Sequence, residues 1–339
     1  MMVIDNRRTA LILDCDGTLV RINRSYNACI IETVHRMLSN ILRSDILKGY
    51  VNEDLILAFR MSGGFNNDVD TCYALILAAV ASFYYSHNEN SNTPIDHVQK
   101  ARSVAYELAC NADTRGIASV EEYLEHKCLG DVVRMVKYHT NYPGLVGSSM
   151  LATLFDELFY GKELFVKMHG IKPRFINDDY KGFINYDEVI ISKNSLEEVK
   201  RIFDNNIAIV SGRSRLATEY TLKELLGYFN IQASVFIEDE DKYVKRNKID
   251  MVVTKPNPYA LLKSLSILNV KEAIVVGDSI EDLIMANSIN YHNGYKTIFI
   301  GVYGTSIDSE KQKRAFISKG AYAVIENINL LPSLLNSIV

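Results

Sequence analysis

The sequence holds no apolar run approaching the roughly 20 residues needed to cross a bilayer, no Cys-x-x-Cys pair and no block of Lys and Arg. Each absence closes off a class of protein. No transmembrane helix is expected. The opening residues MMVIDNRRTA lead into only four apolar residues, Ala10 to Leu13, too few for the core of a signal peptide, so a soluble cytoplasmic protein is expected. The five cysteines, Cys15, Cys29, Cys72, Cys110 and Cys128, are odd in number and wrongly spaced for a disulfide framework or a zinc site, which fits a reducing compartment. A formal net charge of -4 without a basic block leaves no footprint for nucleic acid or an anionic membrane. Neither a repeat period nor a low-complexity tract is evident.

What is present begins at Ala10 to Val20, ALILDCDGTLV. An apolar run reads as a short strand buried on both faces, and it ends at Asp14, with Asp16 and Gly17 following. Gly17 signals a sharp turn of the backbone. Two acids so close repel one another unless a cation or a shared proton neutralises part of the charge. A lone Asp at a strand end is often a turn cap; the paired form points to an active site.

The next stretch is helical in pattern. Apolar residues at Ala28, Ile31, Val34, Met37, Leu38 and Ile41 recur at three- and four-residue steps. Further helices are expected over 53–59, 69–85, 95–110, 120–139 and 149–165, with loops at Ser62 to Gly64, Asn88 to Pro94 and Tyr142 to Gly144. From Val189 the rhythm alternates: short apolar runs at 189–191, 207–210, 234–237, 251–253, 273–276, 297–300 and 322–325 read as strands, with helices such as 196–203, 216–226 and 259–268 between them. Such alternation predicts a parallel sheet covered by helices on both faces. The first strand belongs with that sheet, since it cannot bury itself alone. Two domains follow: an α/β core from 1–20 and 183–339, and an all-α domain inserted at 21–182.

In an open parallel sheet, ligands bind where strands end. Four strand ends carry polar groups here: Asp14 and Asp16; Ser211-Gly212-Arg213; Thr254-Lys255-Pro256; and Gly277-Asp278-Ser279 with Asp282 beyond. A hard cation such as Mg²⁺ takes carboxylate and carbonyl oxygens, which Asp14, Asp278 and a backbone carbonyl near Asp16 can offer. A carboxylate can attack phosphorus, and a second one two residues on can protonate the leaving oxygen and then activate water. Ser211 and the Gly212 N–H suit phosphate oxygens, and Lys255 adds a compact positive charge. Each part also has a plainer reading. Ser211-Gly212 makes a common turn, Lys255 sits before a proline loop, Asp278 suits a helix N-cap, and Asp282 suits a first helical turn.

Taken together, DCDGTL at Asp14 to Leu19, IVSGR at Ile209 to Arg213, TKPNP at Thr254 to Pro258 and GDSIED at Gly277 to Asp282 resemble the motifs of the haloacid dehalogenase (HAD) superfamily. That resemblance implies a Rossmann-like three-layer core with an inserted helical cap, and a Mg²⁺-dependent phosphatase working through an aspartyl-phosphate. By it, Asp14 is the nucleophile, Asp16 the acid/base and Lys255 the charge steadying nucleophile and phosphate. Gly17, Thr18, Ser211 and Gly212 join Lys255 around the phosphate, Asp14, Asp16 and Asp278 hold the metal, and Asp282 is a supporting acid. Dehalogenating members lack the second acid, so Asp16 favours phosphoryl transfer. An insert after the first motif resembles the C1-cap, phosphoglycolate phosphatase-like subgroup, though this insert is considerably larger.

Within the insert, Arg60 to Asp68 is the expected specificity loop: Arg60 for an anionic substrate, Gly63 and Gly64 for close backbone approach, Asn66, Asn67 and Asp68 for hydrogen bonds. The alternative is an inter-helix turn capped by Asn67 or Asp68. Phe83, Tyr84 and Tyr85 read as core, with a cap pocket or dimer surface as the alternative. His35, His139 and His169 receive no role. The expected substrate is a small phosphorylated metabolite. A β-phosphoglucomutase-like phosphotransfer, a non-catalytic protein retaining the fold, and a homodimer stay open.

Overall fold

The computed structural model describes residues 8–65, 67–85, 93–248, 253–291 and 294–338. The chain divides into two compact units, Met1–Asn23 with Asp187–Val339, and Arg24–Tyr186. In chain order, β1 (Thr9–Leu13) and β2 (Val20–Arg21) come first. Seven helices follow: α1 (Asn23–Leu42), α2 (Glu53–Met61), α3 (Asp68–Tyr85), α4 (Pro94–Asn111), α5 (Ile117–His126), α6 (Gly130–Thr140) and α7 (Met150–His169). After a 3₁₀ turn at Phe183–Tyr186 come β3 (Glu188–Val189), α8 (Lys193–Phe203), β4 (Ile207–Ile209), α9 (Arg215–Leu222) and α10 (Ile237–Asn247). The chain closes with α11 (Tyr259–Leu268), β5 (Glu272–Gly277), α12 (Ile280–Ile289), β6 (Lys296–Val302), α13 (Ser309–Ser318), β7 (Ala323–Ile325) and α14 (Leu331–Ile338). No helix among the described residues is long and apolar enough to cross a membrane.

In the first unit the strands run in the order β4-β1-β5-β6-β7, every pair parallel. Period-two alternation sorts their side chains onto two faces. Leu11, Leu13, Ile207, Ile209, Ile274 and Val276 join Leu196, Val199 and Phe203 of α8 and Leu331 and Leu335 of α14. Ala10, Ile12, Ala208, Ala273 and Val275 join Leu261 and Leu265 of α11, Leu283 and Ile289 of α12 and Phe316 of α13. Both faces are therefore covered, which is why the strands read as unbroken apolar runs, and the unit is a three-layer α/β sandwich. Beside the sheet, β2 and β3 form a separate antiparallel pair with Val20 opposite Val189 and Arg21 opposite Glu188.

The helical unit is built around α3. From Cys72 to Val80 every residue is at most 2% exposed, so this helix is apolar all round and packs against α2, α4, α5, α6 and α7.

Three expectations change. Residues 120–139 form two helices, because Cys128 takes a left-handed φ of 61° and Lys127 closes α5. The strand expected at 234–237 reduces to a single bridge, Val210 to Val235, because Ile237 already opens α10. Glu238, Asp239 and Glu240 favour that helical start through the helix dipole, and Asp239 Oδ2 accepts from the Phe236 N–H. Tyr84 is 43% exposed and so lies outside the core, while Phe83 stacks on His97. Asn66, Met251 and Val252 of the expected loop and strand, Asn88 to Asn92, and the side chain of Tyr85 lie outside the described residues.

Candidate active site

Asp14, Ser211 and Asp278 leave the sheet at the C-terminal ends of or just beyond β1, β4 and β5, three adjacent strands. Leu13 pairs with Ile209 on one side and Val276 on the other, and the Asp14 N–H donates to Val276 O at 2.9 Å. Because β1 is flanked by β4 and β5, this is a point where strand order switches, the place where open parallel sheets bind ligands. Closeness here depends on Gly17, whose φ is +74°: a Cβ there would fall 1.9 Å from Asp278 Oδ2. A Cβ on Gly277 would likewise fall 2.4 Å from Asp282 Oδ2.

Lys255, before α11, reaches two acids at once. Its Nζ stands 2.6 Å from Asp14 Oδ1 and 2.6 Å from Asp282 Oδ1. Asp282 is 1% exposed, and its Oδ2 accepts from the Ser279 hydroxyl at 2.7 Å while the Ser279 Oγ accepts from the Asp282 N–H at 3.1 Å. The capping-box alternative and the supporting-acid reading thus describe the same residue, which starts α12 and anchors Lys255.

Asp14, Asp278 and Asp282 each present an oxygen within 4.8 Å of the others. Burial pushes the Asp14 carboxyl up to about 7, against the pull of Lys255 and with a further push from Asp282 and Asp16. Burial raises Asp278 well above the ordinary carboxylate range, with Asp14 and Asp282 adding to it. Burial alone would lower the Lys255 ammonium, yet Asp14 and Asp282 hold it above its usual value. Three carboxylates therefore share one ammonium. That deficit, together with hard oxygen donors and the glycine cradle at Gly17, fits a divalent cation such as Mg²⁺, held by Asp14 and Asp278 and the backbone near Asp16.

Asp16 faces another cation. Arg213 Nη1 donates to Asp16 Oδ1 at 2.9 Å. Burial raises the Asp16 carboxyl and Arg213 opposes it. Ser211 is 4% exposed, and its Oγ accepts from the Arg213 N–H at 3.3 Å. A Cβ on Gly212 would meet nothing within 4 Å, so open space lies before that backbone. The buried Thr18 hydroxyl has no hydrogen-bond partner. Cys15, between the two acids, is fully buried, and burial drives its thiol far above its ordinary value.

Several contributors escaped the sequence reading. Asp187 accepts from Arg213, Thr305 Oγ1 donates to Gly17 O at 2.6 Å, and Gln312 Nε2 donates to Asp278 O at 2.8 Å. The last two act on backbone carbonyls, and no motif marks a residue whose partner is main chain.

Arg60, Gly63, Gly64 and Asn67 belong to the helical unit and have partners there. Arg60 donates to Asn27 Oδ1 at 3.0 Å and Asp68 Oδ1 at 2.9 Å. A Cβ on Gly63 would approach Thr114, and one on Gly64 would fall 2.3 Å from Asp113 O. Asn67 Oδ1 accepts from the Val69 N–H at 2.8 Å at the start of α3. His169 meets Asp156 at 2.9 Å.

Acids and a lysine at the strand ends of a parallel three-layer sandwich define a hydrolase site of the kind the four motifs resemble. The chain belongs to the haloacid dehalogenase-like hydrolases, whose family pattern it matches over residues 9–290. No curated protein matches the sequence. Among solved structures, one from the Northeast Structural Genomics Consortium is similar with a TM-score of 0.64 at 16% identity, covering 97% of this chain and 99% of its own. Phosphatase Tt82 from Thermococcus thioreducens is similar with a TM-score of 0.55 at 19% identity, covering 91% of this chain and 98% of its own. These likenesses concern the fold.

Proposed function

We propose that the protein is a Mg²⁺-dependent phosphatase that hydrolyses a small phosphomonoester through an aspartyl-phosphate on Asp14. The observation that carries this reading is the pairing of two separate carboxylates with two separate cations: Asp14 with Lys255 at 2.6 Å and Asp16 with Arg213 at 2.9 Å. One acid is placed beside the charge that would steady a phosphoryl group, and the other is held apart for proton transfer. The fold likeness to Phosphatase Tt82 is consistent with it.

In the first step a carboxylate oxygen of Asp14 bonds to phosphorus as the bond to the leaving oxygen breaks, and Asp16 gives that oxygen a proton. In the second, Asp16 takes a proton from water, whose oxygen attacks phosphorus and frees Asp14. Lys255, the Ser211 hydroxyl, the Thr18 hydroxyl and the Gly17 and Gly212 backbone bind the phosphoryl oxygens. Bound Mg²⁺ would offset phosphate charge as a Lewis acid. Residues 21–182, which leave the core at β2 and return at β3, are the proposed C1-type cap and the source of specificity through Arg60, Gly63, Gly64 and Asn67. Five free cysteines fit a cytoplasmic setting.

Incubation with a phosphate ester and Mg²⁺ should give burst release of the alcohol and an acid-stable phosphoprotein, both abolished in Asp14→Asn. Full turnover by that variant would overturn the reading.

A further inference from the structure

We infer that Arg213, locked in place by Asp187 and Thr221, is the positioning residue that aims the Asp16 carboxylate at the leaving oxygen; this rests on the phosphatase reading above. The Arg213 side chain is fully buried, and so is that of Asp187, at 0% and 1% exposure. Nη2 donates to Asp187 and, at 2.9 Å, to Thr221 Oγ1 in α9, and the Thr221 hydroxyl also contacts Asp187 at 3.2 Å. That arrangement fixes one arm of the planar fork. The other arm, Nη1, is thereby directed to Asp16 Oδ1 at 2.9 Å.

Burying two charged groups for stability alone is a poor bargain, since well-packed apolar residues often do as well. A rigid guanidinium does what they cannot: it fixes the rotation of the one carboxylate that is partly open, Asp16 at 23% exposure. With Oδ1 accepting from Arg213, the transferable proton sits on Oδ2. Arg213 also ties its own N–H to Ser211 Oγ, so one three-residue turn places both the phosphate-binding hydroxyl and the acid/base. Asp187 is the residue at which the chain re-enters the core, immediately before β3, so the lock is set by that return.

The test compares two substrates with and without a need for acid. p-Nitrophenyl phosphate releases a stable anion, whereas 2-glycerophosphate must have its alkoxide protonated. Because Asp16 also serves the second step, which both esters share, the contrast is read in the burst phase: Arg213→Ala should slow the burst of alcohol release from 2-glycerophosphate by about 100-fold and from p-nitrophenyl phosphate by less than about 10-fold, within the range set by general-acid catalysis. The Mg²⁺ dependence should be unchanged, and Arg213→Lys should recover part of the loss. Asp187→Asn, which keeps the shape of the buried site, should show the same contrast at smaller size and serves if Arg213→Ala does not fold. Equal losses on both substrates, or none, would overturn the positioning role while leaving the phosphatase reading intact. A wild-type protein inactive on both esters with Mg²⁺ would overturn both.

Discussion

Gly17 and Asp278 meet where no side chain fits between them: a Cβ on Gly17 would lie 1.9 Å from Asp278 Oδ2. The turn after β1 and the turn after β5 are therefore in contact through backbone on one side and carboxylate on the other. Gly17→Ala must displace Asp278 and also adopt a φ of +74° that an L side chain resists. Activity should fall by at least about 100-fold, as expected when acting groups shift by about 1 Å. The Mg²⁺ concentration for half-maximal activity should rise, read from a Mg²⁺ titration of initial rates.

Lys255 answers two carboxylates, so its removal changes charge more than shape. In Lys255→Met, Asp14 and Asp282 keep their burial and lose their shared ammonium, leaving Asp14 protonated more of the time. A kcat loss of about 100- to 1,000-fold is expected, comparable to losing one donor to a developing charge. Steady-state rates at saturating substrate check it.

Chelation gives a third outcome. With Asp14, Asp278 and Asp282 crowded around a single lysine, metal removal leaves repulsion uncompensated. EDTA should abolish turnover and Mg²⁺ should restore it. Mg²⁺ should also add about 2.7 kcal/mol of stability at 100 times Kd, read as a higher Tm. A Tm unchanged by Mg²⁺ would count against the site.

How far the sequence reveals this centre depends on what each residue touches. Asp14, Ser211 and Asp278 were legible because a buried parallel strand must be apolar to its last residue, so the first polar side chain after it marks the crevice. Lys255 was legible by motif, although the short strand expected before it lies largely outside the described residues. Asp187 was not, because it sits in the stretch Asn185-Tyr186-Asp187-Glu188, which reads as a solvated turn; only the fold brings it to Arg213. The break at Cys128 was missed for a related reason, since a left-handed residue that is neither Gly nor Asn carries no local signal. Nor does the pattern of Arg60 to Asp68 distinguish a ligand contact from an internal clamp, and the observed bonds to Asn27 and Asp68 are of the second kind.

That clamp predicts a stability effect. Arg60→Ala leaves the Asp68 carboxylate without its cation; burial already raises Asp68 above its ordinary range despite Arg60. The helical unit should lose about 2 kcal/mol in urea unfolding, between an exposed and a fully buried pair. A specificity constant unchanged in the same variant would remove Arg60 from substrate recognition.

Acid pH offers a separate check in the same unit. Burial raises the Asp156 carboxyl, with the His169 hydrogen bond pulling the other way. A carboxyl raised in the folded state keeps its proton where the unfolded chain has lost it, so its contribution favours folding below the ordinary value of about 3.8 and is lost as pH rises through the folded one. Asp156→Asn has no such term. Across that window, beginning near about pH 4, the Tm of the variant relative to wild type should increase with pH.

The antiparallel pair of β2 and β3 has a consequence for how this protein can change. Arg21 and Glu188 are cross-strand partners, joined by an ion pair at 2.7 Å, so the inserted helices begin and end at one point of the core. To the sheet they form a single closed loop. Closure entropy grows only with the logarithm of loop length, about 0.6 kcal/mol for each doubling. An insert of half or twice this size would therefore burden the sheet almost equally, and everything between Arg21 and Glu188 can be exchanged while β1, β4 and β5 keep their register.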